Sequence, residues 1–145
     1  MIQHLLIAVS DEGMDAQAVA AHAGELAAGV GASVTLFQAY TESTFDDWLD
    51  EMGYDSAPPE EMARRNSAVT DAADVLRELG VDRTVAAAVG DPATEIIDYV
   101  AENDVDHVFL GTRRRSRAGK AILGSVSQEV VLSVDVPCTV MSATR

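Results

Sequence analysis

The chain has 145 residues, of which 48% are hydrophobic and 5% aromatic, so it can bury a core built mainly from Ala, Val, Ile and Leu. No apolar run approaches the roughly 18 residues of a membrane span, and the opening MIQHLLIAVSDEG lacks the basic start and cleavage site of a signal peptide. The formal net charge of −14, from 24 acidic and 10 basic residues, excludes general binding to nucleic acid or to an anionic membrane surface. A cytoplasmic location is the expectation.

Taken in chain order, the apolar runs LLIAV (5–9), SVTLF (33–37), TVAAAV (84–89), HVFLG (107–111) and CTVMS (138–142) predict five strands. Several are almost continuously apolar and β-branched, as strands covered on both faces are. Helical spacing separates them. Ala16, Val19, Ala20, Ala23, Leu26 and Ala27 predict a first helix, closed by Gly29 and Gly31. Val69, Ala72, Ala73, Leu76 and Leu79 form a second stripe that stops at Gly80, and Ala93, Ile96, Ile97 and Val100 form a third. The third has a marked start, with Asp91 as cap and Pro92 at the first helical position. A fourth begins at Ser125, with Val126, Val130 and Val134 expected to face inward. Strict alternation of strand and helix predicts right-handed crossovers and an α/β, doubly wound parallel sheet in one domain spanning 1–145.

Residues 40–60 break the pattern. They are acidic and carry the single tryptophan, Trp48. The run FDDWLDEM fits a short amphipathic helix with Phe45, Trp48, Leu49 and Met52 on one side, and equally a loop pinned by Trp48. A lid or partner surface is the functional alternative.

One cysteine, Cys138, excludes an internal disulfide, and its apolar surroundings VPCTVM predict a small core residue. His4, His22 and His107 have no partners at metal-ligand spacing. There is no Walker A sequence, no G-x-S-x-G elbow and no H-E-x-x-H, and no catalytic residues are assigned. Slow ATP hydrolysis is the most that an enzyme reading allows.

Ligands of open parallel sheets bind beyond the carboxyl ends of the strands, where strand order reverses. One loop there stands out. Within GTRRRSRAGKAILGSVSQEV (111–130), Arg113, Arg114, Arg115, Arg117 and Lys120 gather five of the ten basic residues into eight positions. Such crowding of like charge points to a phosphate-bearing ligand or an acidic protein surface. Gly124 and Ser125 precede the fourth helix, whose free N–H groups suit a phosphate. Ser125 with Gln128 also fits a capping box that needs no ligand. Gly111 serves either a sharp exit from its strand or a close ligand contact. Ser10, Asp11 and Glu12 follow the first strand, where they serve as a helix cap or as acceptors for a nucleoside.

From Gly111 to Ser125 the chain resembles the universal stress protein family, whose nucleotide loop reads G-x2-G-x9-G-(S/T). Gly111, the nine residues Arg115 to Leu123, Gly124 and Ser125 match in register. The resemblance extends to HLLIAVSDE, SVTLFQAY, GDPATEIIDYVAENDVDHVFLGT and VPCTVM, and so covers the whole chain. It implies an adenine nucleotide alpha hydrolase-like sheet of order 3-2-1-4-5, a stress-response role and binding of ATP or AMP, with magnesium accompanying ATP. Carried over, the nucleotide site is Ser10, Ala39, Gly111, Gly124, Ser125 and Val126, to which the local reading adds Asp11, Arg113, Arg114 and Arg115. It further implies a homodimer through the fifth-strand edge. Two positions depart from the family pattern. Arg114 stands at the second motif glycine and Ser10 at the family aspartate, with Asp11 one place on. A nucleotide-free module whose arginine loop docks an acidic partner is the alternative reading.

Lys120 is the single lysine, and an acidic, lysine-poor surface predicts adaptation to high salt. Thermal unfolding should then move upward as potassium chloride is raised from near zero to molar levels. A maximum in salt-free buffer would refute salt adaptation.

Overall fold

The computed structural model describes residues 1–10, 14–112 and 123–142. Five strands, β1 (His4–Ala8), β2 (Ser33–Tyr40), β3 (Arg83–Val89), β4 (His107–Gly111) and β5 (Cys138–Met141), form one sheet. Every pairing is parallel and the order is β3-β2-β1-β4-β5. Helices α1 (Ala16–Val30), α2 (Glu42–Met52), α3 (Pro59–Arg65), α4 (Ser67–Glu78), α5 (Pro92–Glu102) and α6 (Ser125–Ser133) connect them.

Both faces of the sheet are covered, which is why the strands read as nearly unbroken apolar runs. On one face Leu5, Ile7, Val34, Leu36 and Phe109 pack against Val19, Ala20 and Ala23 of α1 and Val69, Ala72 and Leu76 of α4. On the other, Leu6, Phe37, Val108 and Leu110 meet Ala93, Ile96 and Val100 of α5 and Val130 of α6. The alanine-rich faces let the helices approach closely. At Gly24 a Cβ would fall 2.6 Å from the end of the Leu79 side chain, so glycine there gives that side chain its room against α1.

The helix stops and starts follow the sequence signals in most places. Gly31 closes α1 in the left-handed conformation, φ 74°. Asp91 caps α5 by accepting from Thr94 N–H, with Pro92 at the first turn. Two expectations fail. The cap of α1 is Asp15, which accepts from Ala18 N–H, so the residues directly after β1 do not cap that helix. In α6 Val130 is buried, but Val126 is exposed and Leu132 is 85% exposed. The stripe there is narrower than the spacing suggests, because α6 covers only the edge of the sheet.

Residues 40–60 hold a helix, α2, and α3 follows without having been foreseen. Phe45 anchors the arm, stacked between Tyr40 and Trp48 and buried with Ala63 of α3. The pin is therefore Phe45; Trp48 is half-buried beside it. Cys138 is partly exposed, and burial raises its thiol pKa, which keeps it protonated. No helix among the described residues is long and apolar enough to cross a membrane.

His107 links β4 to the edge strand β5. Its Nε2 lies 2.7 Å from Thr139 Oγ1 and its ring stacks on Phe109. Burial lowers its pKa below the ordinary 6.5, because the imidazolium would lose hydration. The contribution of neutral His107 to stability is complete above 6.5 and is lost as pH falls from there through the lower folded value. Urea midpoints should drop over that window and drop less in His107→Gln. An equal pH slope in both proteins would contradict this role.

Candidate functional site

A cleft of about 360 Å3 opens at the carboxyl ends of the central strands. Its size is within the range of small-molecule sites. The floor is apolar: Ala8, Val9, Phe37, Ala39 and Leu110 come from β1, β2 and β4 and the residues just past them. Pro92 and Ile96 of α5 form one wall, Thr41 and Thr44 at the start of α2 form another, and Gly124, Ser125, Val126 and Ser127 at the start of α6 form a third.

The cleft exists because neighbouring strands end at different heights. The last registered pair of β1 and β2 is Ala8 with Phe37, and Val9 N–H donates to the Phe37 carbonyl at 2.9 Å. Beyond this point β1 leaves, whereas β2 continues beside β3 to Tyr40. Alternate residues of a strand aim their backbone groups at the same neighbour. Ala39, two past Phe37, therefore presents its N–H and C=O to the space that β1 has vacated. The Val9 carbonyl accepts from the Gln38 side-chain amide at 3.5 Å, and Gln38 in turn accepts from the Tyr40 hydroxyl. A buried glutamine is thus held fixed beside the floor.

The helix starts around the cleft differ in kind. Thr41 caps α2 by accepting from Thr44 N–H at 3.2 Å. Asp91 accepts from both the N–H and the hydroxyl of Thr94, which holds its carboxyl below the usual range. The N-cap of α6 is Gly124, and no side chain caps it. The S-x-x-Q box is not formed. Ser125 is already helical, and Gln128 reaches back to the Leu123 carbonyl at 3.1 Å. The first-turn N–H groups of α6 have no partner within the helix and border the cleft, where they carry partial positive charge.

Of the residues expected at a site, Ser10, Ala39, Gly111, Gly124, Ser125 and Val126 all line this one cleft. Asp11, Arg113, Arg114 and Arg115 lie outside the described residues. Met14, Gln38, Thr41, Thr44 and Ser127 also line it and were not expected. Gln38 had a signal, being a polar residue inside an apolar strand. Thr41 and Thr44 had a weak one, since threonine before an acidic amphipathic run is a cap pattern. Met14 had none.

Fold and cleft together define a doubly wound α/β protein with a crevice at its topological switch point, the arrangement that such sheets use for small ligands. The chain belongs to the universal stress protein family: the model of that family matches residues 1–142. Among solved structures, a universal stress protein from Archaeoglobus fulgidus superposes with a TM-score of 0.73 at 24% identity, covering 97% of this chain and 98% of its own. A universal stress protein in complex with cAMP gives 0.67 at 18% identity, with 99% of this chain and 100% of its own covered. Another from Archaeoglobus fulgidus, in complex with dAMP, gives 0.64 at 19% identity, with 97% of each chain covered. These likenesses are of fold. In sequence, the chain spans 57% and 33% of the lengths of the curated stress-protein relatives it matches.

Because Phe45 holds α2 and its two threonines against the cleft, Phe45→Ala should cost about 3–5 kcal/mol of stability in urea unfolding. It should also shift Trp48 emission to the red. Trp48→Ala should cost less, since Trp48 is only half-buried. The reverse ranking would show that the tryptophan is the anchor after all.

Proposed function

We propose that this chain binds an adenine nucleotide of the ATP or AMP class in the switch-point cleft and acts as a stress-response regulator. One observation carries the reading: a single cleft joins an apolar floor, ending in the backbone edge of Ala39, to the uncapped start of α6. An apolar floor suits a purine ring. Adenine offers an acceptor at N1 and a donor at its amino group, which complement the N–H and C=O of Ala39. Guanine offers the opposite pair and would leave both backbone groups facing like partners. The amides of Ser125, Val126 and Ser127 suit phosphate oxygens. Ser10 stands near the sugar. The guanidinium groups of Arg113, Arg114 and Arg115, close after Gly111 in the chain, supply positive charge that the family's second glycine does not. With ATP, magnesium would be carried on the phosphate oxygens. The adenine nucleotides held by two structural neighbours support the same class.

Regulation would pass through a homodimer. β5 is an edge strand that carries Val140, 42% exposed, and Leu132 of α6 is 85% exposed; a second copy would cover both. Light scattering should give a dimer that Leu132→Asp converts to monomer; a monomeric parent protein would remove this part of the reading.

Calorimetric titration at high salt should show ATP and AMP binding, with GTP at least about tenfold weaker. Gly124→Asp puts a carboxylate where phosphate would sit and should lose at least about tenfold in affinity. Arg114→Glu should weaken ATP more than AMP, because ATP carries more charge. Absence of binding by the parent protein would overturn the nucleotide reading and leave an interaction module of the same fold.

A further inference from the structure

We propose that Met14 is a wall of the cleft at the switch point, and that residue 111 is glycine to make room for Met14. The packing part of this proposal is independent of nucleotide binding; the wall part rests on that reading.

β1 and β4 are the adjacent strands whose connections run to opposite sides, and Gly111 is the last residue of β4. Its backbone does not call for glycine. The glycines with positive φ among the described residues are Gly31, Gly53, Gly80 and Gly90. The requirement is spatial. A Cβ on residue 111 would fall 2.5 Å from Met14 Cγ, 3.2 Å from its Cβ and 3.3 Å from its Sδ. Neighbours at such distances must move. Three consecutive heavy atoms of Met14 thus lie over Gly111.

The same side chain is held at its other end. Met14 Sδ accepts from Ser10 N–H at 3.4 Å, so the thioether bridges the end of β1 to the end of β4. One side of Met14 packs on the core cluster that includes Val9 and Phe109, and it also lines the cleft. An unbranched thioether suits this place because it can fill an irregular gap while offering a weak acceptor to an amide. The place that a Cβ on residue 111 would take is therefore occupied by Met14, while Gly111 itself still lines the cleft. A ligand in the cleft rests against the sulfur side of Met14 and takes its phosphate contacts from the start of α6.

The test compares Gly111→Ala in two backgrounds, the parent and Met14→Ala. In the parent, Gly111→Ala should lower Tm by roughly 5 °C and weaken AMP about tenfold, because the added methyl displaces Met14. In the Met14→Ala background the methyl enters vacated space, so the same change should leave Tm within about 1 °C and AMP affinity within about twofold of Met14→Ala alone. Equal losses in both backgrounds would overturn the packing assignment. Methyl-labelled methionine spectra test the wall directly. AMP should shift the Met14 methyl signal and leave those of Met52 and Met62 in place, and an unmoved Met14 signal with AMP bound would overturn it. If the parent binds no AMP, the Tm comparison still decides whether Met14 and Gly111 are coupled, and the nucleotide reading fails separately.

Discussion

The unequal length of two hydrogen-bonded neighbours shapes this molecule. β1 leaves the sheet after Ala8, just as β2 still has Gln38, Ala39 and Tyr40 to pair with β3. A central strand that stops early leaves backbone groups of its neighbour facing a gap, and those groups cannot go without partners in a dry interior. The departing strand leaves a carbonyl of its own there as well, that of Val9, and the Gln38 side-chain amide of β2 donates to it. The Ala39 edge opens on the cleft. Helices that start around the same gap bring their N–H ends to it, so polarity and position arise from a single geometric fact.

The rest of the fold holds that gap open. The two apolar clusters clamp the sheet from both sides, with Leu5, Leu6, Ile7 and Phe109 fully buried at its centre. Such a core is stiff, so the strand ends cannot slide together. The arm of α2 and α3 sits, through Phe45 and Ala63, on Tyr40 at the end of β2 and on Val85, Ala87 and Val89 of β3, and it brings Thr41 and Thr44 to the rim. Met14 closes the opposite side between β1 and β4. What remains is a trough with an apolar bottom and one end lined by the amides of α6.

Charge completes the picture. The chain carries −14, yet none of the described residues lining the cleft is a carboxylate, and Asp91, just before Pro92 of its wall, is engaged with Thr94. An anion entering the trough meets helix dipoles first. Across the molecule, the described ion pairs are short-range helix pairs, Arg65 with Glu61 and Arg77 with Asp74. Exposed pairs of this kind contribute little to stability, so the excess negative charge is left to be screened by solvent ions.

Much of this was legible in the residue order. Continuous apolar runs mark strands buried on both faces, and three- and four-residue spacing marks the helices between them. Asp91 before Pro92 marks a start, and Gly31 marks a stop. All of these are local signals, carried by residues that act within one turn or one strand. The loop from Gly111 to Gly124 likewise shows itself as a run of residues. Three things needed the folded chain. Phe45 in place of Trp48 as the anchor depends on what Tyr40 and Ala63 present to it. Ser125 lies inside α6 because Gly124 takes the extended cap conformation. The contact of Met14 with Gly111 joins residues nearly a hundred positions apart, and no pattern along the chain encodes it. Periodicity and capping fix elements from nearby residues. Which side chain fills the space left by a missing Cβ is settled only when distant strands are laid side by side.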